Sequence, residues 1–421
     1  MFHPQIIDFL IKGYSFEFFK KDLFSGLTVA IVAIPLSIAF AIASGATPIV
    51  GIFTAIIGGL VVSLFGGSKY NISGPAGAFI GVIHVTIAHY GYNGLLISTF
   101  LAGLITIICS IFKFGKLIKF IPNCIITGFG LGLGIDLLSG QIGDFFGITA
   151  HGGENFIQKI LICYQNLNQI NIDGTILGTI TVISALIIRK LKPSFPSFFI
   201  AIIISCFVAR IFNLQAETIQ SKFGLIHLTM PEFHKTIIEE IEHPVHLILY
   251  IKPAITIAIL SSLEALLAAT IADKMKNDHH EPNTELFSLG IANCLSALFG
   301  CIPIAGTTAR TIVNVKSGAK SPFAGVFHGL FLIVLIAIFA DLISYINMST
   351  MAGILFIIST DMMSFKKVIN TCKTDKKTNI IMMFFTAACV LTFGIVTAIV
   401  INTIIYQTIV NILKEHKKHR I

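Results

Sequence analysis

Apolar runs of roughly 15 to 20 residues recur along the whole chain, separated by short polar stretches, and this pattern predicts a series of bilayer-crossing helices. Fourteen such segments fall near residues 25–44, 48–66, 73–90, 94–112, 120–140, 174–189, 197–213, 253–272, 286–301, 307–318, 323–341, 349–362, 379–393 and 395–412. The third and the tenth are poor continuous spans. Their stretches GGSKYNISGPAG and GCIPIAGTTAR put glycine and polar residues at membrane depth, where backbone groups left without partners are costly.

Composition changes this picture little. Of 421 residues 55% are hydrophobic and 12% charged, and the mean hydropathy is +0.88, which leaves too little polar surface for a water-facing fold. The length is filled by one membrane domain. The formal charge of +8 does not point to nucleic acid, because the 29 Lys and Arg residues sit in small clusters between apolar runs instead of on one basic face. With fourteen spans, 22 of these cations fall on the side of the N-terminus and five on the other, and Lys69 and Arg310 lie beside the interrupted segments. That bias predicts an inner-membrane protein with both termini in the cytoplasm. The eight cysteines include no CxxC pair, so neither a disulfide framework nor a metal site is expected. The N-terminus lacks the features of a cleaved signal, so the first run is expected to be retained.

Loops of about 141–173 and 214–252 fall outside and read as solvated loops or short surface helices; the acidic stretch Glu217, Glu232, Glu239, Glu240 and Glu242 belongs to the second. The adjacent His279 and His280 cannot easily share one face, and a loop is the reading for them.

The chain also contains a self-similarity. LTVAIVAIPLSIAFAIA from Leu27 aligns with ITIAILSSLEALLAATIA from Ile255, and SLFGG at 63–67 aligns with ALFGC at 297–301, each leading into an interrupted segment. Repeats of about 20–213 and 250–413 follow. A unit of seven spans is odd, so the second copy enters the bilayer from the opposite side, as in transporters.

At the first interruption, Ser73-Gly74-Pro75 predicts a helix start near the midplane, with serine as cap and proline in the first turn. The N–H groups of Ala76 and Gly77 would then be open to an anion. At the second, Gly306-Thr307-Thr308-Ala309-Arg310 repeats the pattern with two hydroxyl caps, a small residue and a cation. Two facing half-helices present two positive dipole ends, and Arg310 adds a charge suited to carboxylate, sulfate or bicarbonate, or else pairs structurally with Glu264 or with a ladder of carbonyls. Glu264 is the acid of the eighth span and reads as a coupling group that binds Na⁺, carries a proton or neutralises Arg310. Asp136 lies near a helix end and reads as a snorkelling acid outside the site.

These residues carry a resemblance. DLFSGLTVAIVAIPLSIAFAIASGATPIVGIFTAIIGGLVVSLFGGSKYNISGPAGAF, SSLEALLAATIADKM and IPIAGTTARTIVNVKSGAKSPFAGVFHG resemble the signatures of the SulP/SLC26 anion transporters over essentially the whole chain. The resemblance implies an all-α fold of two inverted seven-helix repeats forming core and gate domains, with half-helices at the third and tenth segments and the substrate between them. It implies substrate-binding roles for Phe40, Ser73, Gly74, Ala76, Gly77, Thr307, Thr308, Ala309 and Arg310. It places Na⁺ near Glu264, Gly306 and Thr308, as in the cyanobacterial bicarbonate branch, although that branch has a threonine where this chain has Ala268. Proton coupling would suit the bacterial C4-dicarboxylate carriers, which share the GGS-K/R-x-x-x-SGP pattern. Most family members continue into a cytoplasmic STAS domain, and none is expected here. A homodimer in the lipid bilayer is the expected assembly.

The expected function is secondary active transport of a small anion of the sulfate, bicarbonate or C4-dicarboxylate class, coupled to H⁺ or Na⁺, with an anion channel or uncoupled exchanger of the same fold as the alternative. A nucleobase symporter would need acidic groups where this chain has Arg310. No nucleophile, base and orienter trio suggests an enzyme, and no cofactor is expected.

Overall fold

The computed structural model describes residues 2–116, 121–148, 156–192, 195–224, 233–235, 237, 240, 244–393, 398–399 and 401–409. Its described part is built almost wholly of helices: α1 (Gln5–Lys12), α2 (Phe16–Ala43), α3 (Pro48–Phe65), α4 (Ile80–Ile111), α5 (Asn123–Phe146), α6 (Phe156–Gln165), α7 (Ile172–Leu191), α8 (Ser197–Ile211) and α9 (Ile219–Phe223). The second half adds α10 (Pro244–Lys276), α11 (Pro282–Leu298), α12 (Thr308–Lys316), α13 (Phe323–Ser344), α14 (Met348–Met363), α15 (Phe365–Thr374) and α16 (Lys377–Phe393). Eight described helices are long and apolar enough to cross a bilayer. Residues 401–409 are helical as well, within the last predicted segment; the rest of that segment lies partly outside the described residues. So do Glu232, Glu239 and Glu242 of the acidic stretch.

Local chemistry explains where these helices begin and end. Ser15 caps α2 by accepting from the Phe18 N–H at 3.2 Å, and Pro48 occupies the first turn of α3, where its missing N–H costs nothing. Inside the apolar helices, hydroxyl groups return to the carbonyl one turn back. Thr54 donates to Val50, Thr86 to Val82, Ser98 to Gly94 and Thr106 to Ala102, which satisfies them without water. Large apolar side chains such as Ile183, Ile187, Phe207, Val334 and Ile338 are exposed on outer flanks, as a lipid-facing surface requires.

Boundaries differ from the sequence reading in several places; the first segment, for example, begins nine residues earlier, at Phe16, and the fifth runs on to Phe146. The eighth predicted segment begins earlier, at Pro244, because the apolar residues before Pro253 continue the helix through that proline at the cost of one backbone hydrogen bond. Segments 73–90 and 94–112 join in α4, interrupted at Gly91, whose φ of 69° breaks the helical path. Beyond α14 the chain turns at Ser364, φ 45°, into α15, whose Phe365 and Ile369 are exposed.

The helices pack in two groups. One gathers α2, α3 and α4 from the first half with α10, α11, α12 and α13 from the second: α4 lies on α10 and α11, and α13 lies on α2 and α3. The other gathers α5, α7 and α8 with α14 and α16. Each group therefore mixes both halves of the chain. The first group also holds the two extended leads, 66–76 and 299–307, which meet as strands β1 (Ser73–Gly74) and β2 (Ala305–Gly306) against α3 and α10. They pair antiparallel, Ser73 opposite Gly306 and Gly74 opposite Ala305.

Candidate functional site

The nine residues of α12 span only about 14 Å at 1.5 Å each, roughly half a hydrocarbon core. It is a half-helix that starts two residues after β2. Likewise a 3-10 turn at Gly77–Phe79 opens α4 three residues after β1. The antiparallel ladder brings these two starts together from opposite directions, and their first N–H groups have no carbonyl upstream to donate to.

Both leads are held by buried side chains. Glu285, fully buried at the start of α11, accepts from the Gly67 and Ser68 N–H groups at 2.9 Å each and from the Asn71 amide at 2.6 Å. The Asn71 carbonyl in turn accepts from the Thr311 hydroxyl at 3.0 Å, and that hydroxyl accepts from the Ile72 N–H at 3.1 Å. Thus α12 and the first lead are tied. Asn314 donates to the Tyr70 carbonyl at 2.9 Å and accepts from Ser25 at 2.7 Å. On the second lead, Asn293 accepts from the Ile304 N–H at 2.9 Å, while the Ile304 carbonyl accepts from Ser261 at 2.8 Å and Asn293 at 3.0 Å. These bonds replace the water that the bilayer core lacks. Sequence reading missed Glu285, Asn71, Thr311, Asn293 and Ser261; the available signal was a polar side chain within or beside an apolar run.

The first lead is also anchored from the loop after α10. Lys69 lies 2.8 Å from an Asp278 oxygen, and the Glu281 N–H donates to the Gly67 carbonyl at 2.9 Å. Burial raises the Asp278 carboxyl, but the Lys69 ammonium and the His279 N–H outweigh it and hold the group below the usual carboxylate range. His280 turns away to meet Asp273 at 2.6 Å, so the two neighbouring histidines have separate surroundings.

The structure sorts the predicted site residues. Ser73, Gly74, Ala76, Gly306 and Thr307 are buried in the ladder and its flanks, and Phe40 is 7% exposed, its ring edge 3.1 Å from where a Cβ on Gly77 would sit. Gly77 and Thr308 are partly open and Ala309 is exposed. The opening at the two half-helix starts is the accessible surface of Gly77, Thr308 and Ala309, all of them small residues. Met362 of α14 reaches it too, with its sulfur 3.4 Å from the same Gly77 position.

Two expectations about caps are corrected. Ser73 does not cap a helix: it lies in β1 with its backbone in the ladder, and its buried hydroxyl has no partner. Thr307 precedes α12 without a side-chain cap, because its hydroxyl donates to the Ile72 carbonyl at 2.9 Å, as does its N–H at 3.0 Å.

Arg310 is 1% exposed, so its fork is not open to solvent. One terminal nitrogen donates to Ser37 at 3.0 Å, the other packs on Gly74, and Nε and Nη1 have no partner. Among the described residues it forms no ion pair with Glu264, which rules out that structural alternative. Glu264 is partly buried and next to Ala265, whose Cα lies 2.5 Å from where a Cβ on Gly306 would sit. His328 of α13, fully buried with both ring nitrogens unpartnered, packs on Gly59. Asp136 does not snorkel from a helix end as expected: it sits mid-helix in α5 and pairs with Lys159 at 2.7 Å, because α6 folds back over α5.

Comparison with known proteins places this geometry. The model of the sulfate permease family matches residues 19–385. YvdB of Bacillus subtilis (strain 168), whose name proposes a sulfate transporter, is 39% identical over 361 residues, covering 85% of this chain and 67% of that protein. The bicarbonate transporter BicA of Picosynechococcus sp. is 31% identical over 358 residues, covering 82% of this chain and 62% of its own length. The chain thus spans about two thirds of these relatives. The solved transmembrane domain of a cyanobacterium BicA superposes with a TM-score of 0.77 at 25% identity, over 93% of this chain and 98% of that one. Murine Slc26a9 in its inward-facing state shares the fold, with a TM-score of 0.84 at 14% identity, over 98% of this chain and 71% of that one.

Proposed function

The chain belongs to the sulfate permease family, and on that premise we propose that it is a secondary carrier of small anions, holding its substrate between the starts of α4 and α12 and working by alternating access. The observation that carries this reading is the Ser73–Gly306 ladder, which sets two half-helix N-termini beside one opening. Each terminus contributes roughly half a positive charge, and the first-turn N–H groups are ready donors to an anion.

In this reading Gly77, Thr308 and Ala309 form the contact surface, with Phe40 and Ala76 as its wall. Arg310, together with Ser73, Gly74 and Thr307, stands behind it. The guanidinium then acts mainly through its field, which a low-dielectric surrounding leaves strong. Glu264, with Gly306 and Thr308 nearby, is the coupling group. A proton is the better supported ion, because Ala268 offers no hydroxyl one turn along for sodium.

The group built on α2, α3, α4 and α10 to α13 is the core domain, and the group built on α5, α7, α8, α14 and α16 is the gate. That each group draws on both halves of the chain supports inverted repeats of about 20–213 and 250–413, fourteen segments in all. The protein works in the cytoplasmic membrane, with both termini inside, as a homodimer. The relatives' names favour sulfate or bicarbonate.

Counterflow in proteoliposomes tests the reading: one labelled anion is challenged from the opposite side by a panel of unlabelled ones. Saturable counterflow identifies a carrier and its substrate. Conductive flux without counterflow would overturn the carrier in favour of a channel.

A further inference from the structure

The seam between the two helix groups holds a cavity of about 300 Å³ one turn from the half-helix opening. It is lined by Ile42 of α2, Ile80 and His84 of α4, Asp136 of α5, Lys159 of α6 and Lys222 of α9. Asp136 uses its two oxygens differently. Oδ1 meets Lys159 Nζ at 2.7 Å, while Oδ2 faces across the seam and lies 3.1 Å from where a Cβ on Gly81 would sit. Gly81, in the first turn of α4, stands four residues after Gly77, roughly 6 to 8 Å along the 3-10 and α-helical turns. The side chains of Lys159 and Asp136 are 15% and 25% exposed, so the pair is only partly screened by water.

We propose that Asp136 filters anions by charge on the approach to the half-helix opening, and that Lys159 sets the strength of that filter by pairing with it. The inference rests on the reading of that opening as an anion site. A carboxylate one turn from an anion raises the anion's energy in proportion to the anion's charge. The ammonium at 2.7 Å cancels most of this field. Other ionisable groups facing the cavity are His84, the Cys163 thiol and the pair of Lys222 and Asp144, 3.6 Å apart, with Glu217 a further 3.8 Å contact of Lys222. Lys222 lies within ion-pair distance of Asp144 and Glu217, and Lys159 is the cation in hydrogen-bond contact with Asp136. Gly81 allows the close approach, since any larger residue would push the carboxylate away.

Because the repulsion scales with charge, the penalty for a divalent anion is the square of that for a monovalent one when written as a ratio of affinities. Lys159→Gln should raise the KM of a monovalent anion about tenfold and that of a divalent one about a hundredfold, with Vmax little changed. Asp136→Asn should lower both in the same proportions. The double variant should return both near their starting values, and Lys159→Arg should keep them there.

The experiment measures counterflow KM and Vmax for one monovalent and one divalent anion in wild type and these four variants. Should Lys159→Gln fail to fold, Asp136→Asn alone carries the charge-squared test. A response equal for both anions, or an unchanged KM in Asp136→Asn, overturns the filter while leaving the anion site standing. A wild type that shows no saturable flux of any anion refutes the anion site and the filter with it.

Discussion

Arg310 packs directly on Gly74, so closely that a Cβ on that glycine would occupy the space of the guanidinium. This residue, in the first turn of one half-helix, thereby rests on the strand that leads into the other. Gly74→Ala should displace the arginine, destabilise the protein by about 1 to 3 kcal/mol through overpacking, and lower counterflow at least about tenfold. Arg310→Ala should abolish saturable uptake by removing the charge itself. Transport and melting temperature, measured together on both variants, check this; wild-type flux in either would remove the arginine from the site.

The second prediction concerns Glu285. Its buried carboxylate serves three donors, two of them backbone N–H groups of the first lead. Glu285→Gln keeps the shape but replaces one acceptor oxygen by a donor, leaving at least one N–H facing an NH₂. A loss of about 1 to 3 kcal/mol is expected, seen as a lower melting temperature in detergent. An unchanged melting temperature would show that this network does not hold the lead.

These two cases also separate what could be read in the chain from what could not. Glycine, proline and hydroxyl residues at membrane depth mark both interruptions, because SGP and GTT favour a helix start over a helix interior, and the family signature runs through the same residues. The strand pairing is a contact between residues more than 230 apart, and no local pattern encodes it. It is the reason Ser73 and Thr307 spend their backbone or hydroxyl groups on the opposite lead instead of capping their own helices. Glu285 stands at the edge of an apolar run, where an exposed acid at a helix N-terminus is the ordinary expectation. Asp136 was visible as an acid within a span, but its partner comes from α6, beyond the reach of a helical pattern.

Coupling is tested at Glu264. Replacing it by glutamine removes the ionisable group at little cost in volume. Uptake should then lose its dependence on an imposed proton or sodium gradient while exchange of anions continues. Flux ratios under opposed gradients measure this, and a variant that still follows the gradient would contradict the role of Glu264.

A fourth expectation follows from Asp278. Its carboxyl is held below the usual range in the folded protein, so the Lys69 pair contributes stability above the unfolded group's ordinary value, near pH 4. That contribution is lost as pH falls through the lowered folded value. With both side chains about a quarter exposed, it amounts to about 1 kcal/mol or less. Asp278→Asn should therefore melt lower than wild type at neutral pH and approach it in acid. Parallel melting curves from pH 3 to pH 7 would reveal a constant gap if the pair is not the cause.

The most direct test of the half-helix site is the shift in melting temperature produced by the anion that counterflow identifies, compared between wild type and Ala309→Val. Ala309 is exposed at the opening, so valine should fit without harming the ligand-free fold while covering the first-turn N–H groups. Saturating anion should stabilise wild type, by about 2.7 kcal/mol at a hundred times Kd, and leave Ala309→Val unmoved. An equal shift in the two proteins would place the anion somewhere else.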